Sequence, residues 1–272
     1  MPRRSLENAR VLLTGASSGI GHELALALAR RHARLLLTAR REDLLSALAV
    51  ECRALGGKAD HIAGDITDPA VRDAVMHRVE DQWQGLDVLI NNAGASAHGR
   101  FADSDEPTLR GVMEVNFFAP VELTRRALPL LRRKPERAGS SPTPAIVNIA
   151  SVLAHRGVPV NNEYCASKFA LRGWTESLRA ELAADHIDVL LVSPGTVETE
   201  FFDHLLAKRT SLPWGKSKAI TPAAVAEQTV RALERGRREI FPNWRGRALV
   251  LANRLFPSVL DRVLARYGRR KS

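Results

Sequence analysis

Short, uninterrupted apolar runs recur along this chain at Val11–Leu13, Leu35–Leu37, Asp87–Ile90, Ile146–Ile149 and Ile187–Val192. None alternates with polar residues, so each reads as a strand covered on both faces, as in parallel sheets. Between them lie longer segments with helical spacing at 20–31, 42–55, 69–84, 108–132 and 163–184. A weaker strand is expected at His61–Ala63. A last one is expected at Glu239–Phe241, after a helix opened by Thr221 as N-cap and Pro222 in its first turn. Seven strands alternating with helices predict an α/β fold, a doubly wound parallel sheet with helices on both faces and its ligand crevice at the carboxyl ends of the strands.

The 272 residues, 45% of them hydrophobic, suffice for one large domain. We place it at 1–242, with 243–272 as a C-terminal extension. Two stretches interrupt the alternation. Residues 132–144 are rich in basic residues, Pro and Ser and read as an exposed loop, whereas 196–220 follow strand six and carry Phe201, Phe202, Leu205, Leu206, Leu212 and Trp214. So much apolar bulk beside the crevice predicts a substrate lid with a short helix. No run reaches the length of a spanning helix and the N-terminus has no signal-peptide core, so a soluble, cytoplasmic protein is expected. Cys52 and Cys165 are not expected to pair, and the spacing of the eight His indicates no metal site.

Thr14 to Gly21 directly follows the first strand and opens the first helix, where a pyrophosphate would sit. Gly15 allows the tight turn, Gly19 the backbone approach to the phosphates and Gly21 close helix packing, with Ser17, Ser18 and Ile20 completing the loop. The sheet is therefore expected to be of the Rossmann type. At the end of strand two, Ala39 stands where an NAD site would place an acid, and Arg40 and Arg41 follow. NADP(H) is favoured over NAD(H), with Arg40 the preferred partner of the extra phosphate. Asp65 and Ile66 are placed to flank the adenine, and Asn92, Ala93 and Gly94 offer small residues beside the ribose.

Tyr164 and Lys168 stand at i and i+4 of a helix, close enough for the ammonium to favour the phenolate, and Ser151 lies thirteen residues upstream. An acid, a cation and a hydroxyl donor suit carbonyl chemistry. Taken with T-G-x-x-x-G-I-G at 14–21, N-N-A-G at 91–94, Asn116 after Val115, and Pro194-Gly195, the chain resembles the short-chain dehydrogenase/reductase superfamily over residues 9 to about 242. The resemblance implies that Tyr164 is the general acid/base, that Lys168 also holds the nicotinamide ribose, and that Ser151 bonds the substrate oxygen. It implies that Asn116 bends its helix and serves a proton relay, and that Pro194, Gly195, Val197 and Thr199 line the nicotinamide, with Thr196 competing with Thr199 for its amide. It also implies a homodimer or homotetramer, built through helices 108–132 and 163–184.

The expected activity is NADP(H)-dependent reduction of a ketone or aldehyde, or oxidation of a secondary alcohol. The alternatives are an NAD-dependent alcohol dehydrogenase of the same fold, or a non-catalytic nucleotide-sensing or membrane-surface protein. Val152, Leu153, Val158 and the apolar lid favour a lipophilic substrate, while His155 and Arg156 are expected to face solvent. The formal charge is +10, and 231–272 hold twelve Lys/Arg against three Asp/Glu. Helical segments at 244–256 and 258–267, the second with Val259, Leu260, Val263, Leu264 and Tyr267 on one stripe, form a basic amphipathic tail. Packing on a partner subunit or the lid, or peripheral contact with an anionic membrane, are open to it. No nucleic-acid motif accompanies the charge.

Overall fold

The computed structural model describes residues 4–133, 143–202, 205–209 and 219–269. Its main sheet is assembled from β1 (Arg10–Thr14), β2 (Arg34–Ala39), β3 (Lys58–Ala63), β4 (Val88–Asn91), β6 (Ala145–Ile149), β7 (Asp188–Val192) and β9 (Glu239–Ile240). All pairings are parallel, in the order β3-β2-β1-β4-β6-β7-β9. The order reverses between β1 and β4, which opens the crevice there. Successive residues of β1 feed different cores. Val11 and Leu13 pack with α1 (Gly19–Ala29), α2 (Glu42–Ala54) and α7 (Pro222–Glu234), while Leu12 packs with α3 (Pro69–Trp83), α5 (Ala119–Arg132) and α6 (Asn162–Glu181). Burial on both faces is why β1, β2, β4, β6 and β7 read as apolar runs, whereas β3 and β9 are only partly buried.

The segment predicted as one helix over 108–132 is divided. α4 (Glu106–Met113) and α5 are joined by a π turn at Glu114–Phe118, with Asn116 fully buried inside it. Among its described residues the stretch expected to form a lid has a 3-10 turn at Glu200–Phe202, after which Leu206 N–H donates to the Ser96 carbonyl. From there β8 (Ala207–Lys208) pairs with β5 (Ala97–His98) in a separate two-stranded parallel sheet that the sequence did not disclose. Leu212, Trp214, the Phe202 side chain and residues 134–142 lie outside the described residues.

The C-terminal extension forms α8 (Trp244–Leu255) and α9 (Pro257–Arg269), as its periodicity predicts; the Tyr267 side chain lies outside the described residues. The extension corrects the expectation that His155 and Arg156 face solvent. His155 is buried, with Nε2 at 3.0 Å from Ser193 Oγ and 3.1 Å from Glu239 Oε1. Arg156 donates to Asn253 Oδ1 at 3.0 Å and pairs with Asp261, while Asn253 Nδ2 donates to the His155 carbonyl. Their partners lie about 40 to 105 residues away in sequence, beyond the reach of local pattern. No described helix is long and apolar enough to cross a membrane.

One buried ion pair fixes the amino-terminal edge of β1. Arg10 donates through Nε and Nη2 to the two carboxylate oxygens of Asp87 at 2.9 and 2.8 Å, and through Nη1 to the Trp83 carbonyl. Asp87→Ala strands a buried guanidinium and is expected to reduce unfolding free energy by about 3–5 kcal/mol in chemical denaturation. A loss below about 1 kcal/mol, the size of an exposed pair, would show that this contact does not anchor the strand.

Candidate active site

The carboxyl ends of β1 and β4 form a cradle. Gly15 has φ 65°, and a Cβ there would stand 2.7 Å from Ala93 Cα. A Cβ on Gly21 would meet the Gly15 carbonyl at 2.1 Å. The space is thus kept for close backbone approach. Thr14 Oγ1 accepts from the N–H groups of Asn92 and Ala93 at 3.0 and 3.1 Å, and Asn92 Nδ2 donates to the Thr14 and Gly15 carbonyls at 3.0 Å each. Ser18, the N-cap of α1, makes no side-chain bond to the first turn. The helix start therefore keeps N–H groups for an anion.

Arg41 reaches over this loop. Its guanidinium donates to Ser17 Oγ at 3.3–3.4 Å and lies 3.7 Å from Glu200 Oε2 in the stretch after β7. Arg40 is exposed at the end of β2 and makes no hydrogen bond or ion pair among the described residues. Asp65 is exposed and caps its own turn through Thr67, while Ile66 is buried. On the other side, the Thr199 methyl would lie 3.0 Å from a Cβ on Gly19. Thr196 is exposed, its carbonyl accepting from Ile220 N–H, and Val197 bridges to Ile220. Of the two competing threonines, Thr199 is the one at the loop.

The reactive side chains gather at the ends of β6 and β7. Ser151 caps a 3-10 turn, accepting from Leu153 N–H at 3.1 Å, and the next residue's N–H donates to the Pro194 carbonyl at 2.9 Å, beside Gly195. Tyr164, in the first turn of α6, has its phenol within electrostatic reach of the Ser151 hydroxyl. Lys168, one turn on, is buried and donates to the Ile149 carbonyl at 3.0 Å, its Nζ 5.7 Å from the Tyr164 ring centre. Burial lowers Lys168 from 10.5 to about 8. Burial pushes the Tyr164 phenol up, with the Ser151 hydroxyl opposing. This corrects the expectation of a phenol lowered by its lysine: the ammonium is directed at a backbone carbonyl, and desolvation of the phenolate wins.

Asn116 does not turn its side chain to Lys168. Its Oδ1 accepts from Ala95 N–H, and its Nδ2 donates to the Ala95 carbonyl and to Ser167 Oγ, at 2.8, 2.8 and 2.9 Å. It ties the loop after Gly94 to α6. Sequence reasoning missed the polar chain behind the site, where Asn91 Nδ2 donates to Asn148 Oδ1 at 2.8 Å and Asn148 Nδ2 to Thr175 Oγ1 at 2.9 Å. A polar residue within the apolar run 146–149 was the available signal. Phe201, noted only as lid bulk, stands edge-on to Tyr164 with ring centres 5.9 Å apart.

A nucleotide cradle joined to a Ser–Tyr–Lys cluster at the crevice of a doubly wound sheet defines a dinucleotide-dependent oxidoreductase. A family model described as short chain dehydrogenase matches residues 9–210. The chain belongs to the short-chain dehydrogenase/reductase family. It is 32% identical over 271 residues to "Ketoacyl reductase HetN" of Nostoc sp., covering 97% of this chain and 91% of that one. It is 33% identical over 269 residues to "Hydroxysteroid 11-beta-dehydrogenase 1-like protein B" of Xenopus laevis, covering 97% and 88%. A solved short chain dehydrogenase from Burkholderia cenocepacia J2315, in complex with NADP, superposes with a TM-score of 0.74 at 27% identity, over 87% of this chain and 97% of that one.

The depressed Lys168 value has a signed consequence. The folded protein disfavours its cationic form, so the cost is full below pH 8 and is relieved as pH rises toward the ordinary lysine range. Wild type is expected to gain about 2 kcal/mol of stability relative to Lys168→Met between pH 8 and about 9.5, in paired denaturation curves. A pH-independent difference would mean that Lys168 titrates as an ordinary lysine.

Proposed function

We propose that this chain is an NADP(H)-dependent carbonyl reductase acting on a lipophilic ketone or aldehyde, with 1–242 as the catalytic unit. The observation that carries the reading is the gathering of Ser151, Tyr164 and Lys168 at the crevice, with burial holding the Tyr164 phenol above its ordinary range. A protonated phenol is the acid that reduction requires. Tyr164 Oη gives its proton to the carbonyl oxygen, and Ser151 Oγ donates a hydrogen bond to the same oxygen as charge develops there. When bound, NADPH supplies the hydride that adds to the carbonyl carbon, leaving the alcohol. Gly15, Gly19, Gly21 and the start of α1 hold its pyrophosphate, and Lys168 its nicotinamide ribose. Asn116 is a positioning residue that fixes α6 against the Gly94 loop.

The NADP(H) preference rests on Arg40 and Arg41 at the end of β2 and on the NADP in the Burkholderia structure. The lipophilic substrate is supported by buried Val152 and Val158 and by Phe201 edge-on to Tyr164, and agrees with the names of the ketoacyl and hydroxysteroid relatives. Self-association through the α5 and α6 side is supported by the exposure of Phe118 and Phe169.

A panel of ketones and aldehydes assayed with NADPH and NADH tests this. Turnover is expected with NADPH, and Tyr164→Phe is expected to lower kcat by about 10²–10⁴. Undiminished turnover by Tyr164→Phe would refute its acid role, and tighter binding of NADH than NADPH would refute the cofactor assignment.

A further inference from the structure

The C-terminal extension carries an apolar surface that stays exposed among the described residues. α8 packs inward through Gly246 and Val250, and a Cβ on Gly246 would stand 2.5 Å from Val152, the neighbour of Ser151. On the opposite face Trp244, Ala248, Leu251 and Leu255 form one line, and Trp244, Leu251 and Leu255 are 73, 56 and 60% exposed. The surface continues through Phe256 into α9, where Val259 is 54% exposed. Arg247 and Arg254 border the line on one side, and Arg262 and Arg266 accompany Val259 and Val263 on α9. None of these four arginines has an ion-pair partner among the described residues. Residues 243–272 contain eight Lys/Arg and a single acid, Asp261, already paired with Arg156.

We propose that α8 and α9 form an interfacial docking surface for an anionic lipid membrane, beside the mouth of the active site. Apolar side chains flanked by unpaired arginines match a bilayer whose acyl boundary takes the former and whose anionic headgroups take the latter. Charge complementarity selects this occupant. A second copy docking the same face would bring two strongly cationic surfaces together. The contacts of His155 and Arg156 with Asn253 and Asp261 fix the helices to the loop between Ser151 and Tyr164, so docking presents the crevice to the lipid.

Full-length protein is mixed with phosphatidylcholine vesicles, with and without about one-third phosphatidylserine, and sedimented. Wild type is expected to pellet with the anionic vesicles about tenfold more tightly than with the neutral ones, to be released by salt, and to show a blue shift in Trp244 emission. Leu251→Asp/Leu255→Asp is expected to lose about tenfold in vesicle binding while keeping its cofactor affinity and sedimentation mass. Wild type remaining in the supernatant would overturn the proposal. So would equal pelleting by the double variant, which would mean adsorption by charge alone. A fall in the variant's sedimentation mass would also overturn it, assigning the face to self-association.

Discussion

The site depends on a clasp between two loops, closed by Thr14 and Asn92. The buried Thr14 hydroxyl accepts two backbone N–H groups from the β4 loop and lies 3.4 Å from the Ile90 carbonyl, to which it donates. All of the hydroxyl's capacity is thereby used. Asn92 closes the opposite half by donating to the β1 loop. β1 and β4 diverge in connectivity at the switch point, and a crevice there would splay without a bond across it. With the clasp in place, Gly15 and Gly21 are held at distances that admit no Cβ.

From that clasp the order passes outward through side chains that each satisfy two neighbours. Asn91 and Asn148 join β4 to β6, and Thr175 carries the connection into α6. Asn116 joins the Gly94 loop to Ser167, one residue before Lys168. A buried amide donor costs free energy unless it is met, and the Nδ2 groups of Asn91, Asn116 and Asn148 each donate within this chain, although Asn91 Oδ1 has no partner there. Tyr164 and Lys168 therefore stand on a helix that is fixed at both the cradle and the sheet. Their altered proton affinities follow from the same burial.

Five of the seven strands, β1, β2, β4, β6 and β7, were legible because they are buried on both faces and so are almost free of polar interruption, whereas the partly buried β3 and β9 left a weaker signal. The glycine loop at 14–21 and the Tyr–Lys pair were legible because they are local in sequence, each within eight residues. What stayed hidden is long-range. The β5–β8 pairing joins residues 110 apart through segments of two residues, too short for any periodicity. The partners of His155 and Arg156 come from the ends of β7 and β9 and from α8 and α9. The π turn at Asn116 resembles an ordinary helix in spacing, because one added residue per turn leaves the apolar pattern nearly intact. The direction of the Tyr164 shift also escaped the sequence, since it follows from how deeply the phenol is enclosed rather than from its distance to a lysine.

The central claim is that this crevice delivers hydride directly to a carbonyl carbon held by Tyr164 and Ser151. Turnover of a lipophilic ketone with NADPH deuterated on one face of the nicotinamide C4, followed by mass spectrometry of the alcohol, tests it most directly. The account predicts one deuterium on the carbinol carbon from one labelled face and none from the other. Alcohol without label from either face, or tight NADPH binding with no alcohol from any ketone, would contradict it.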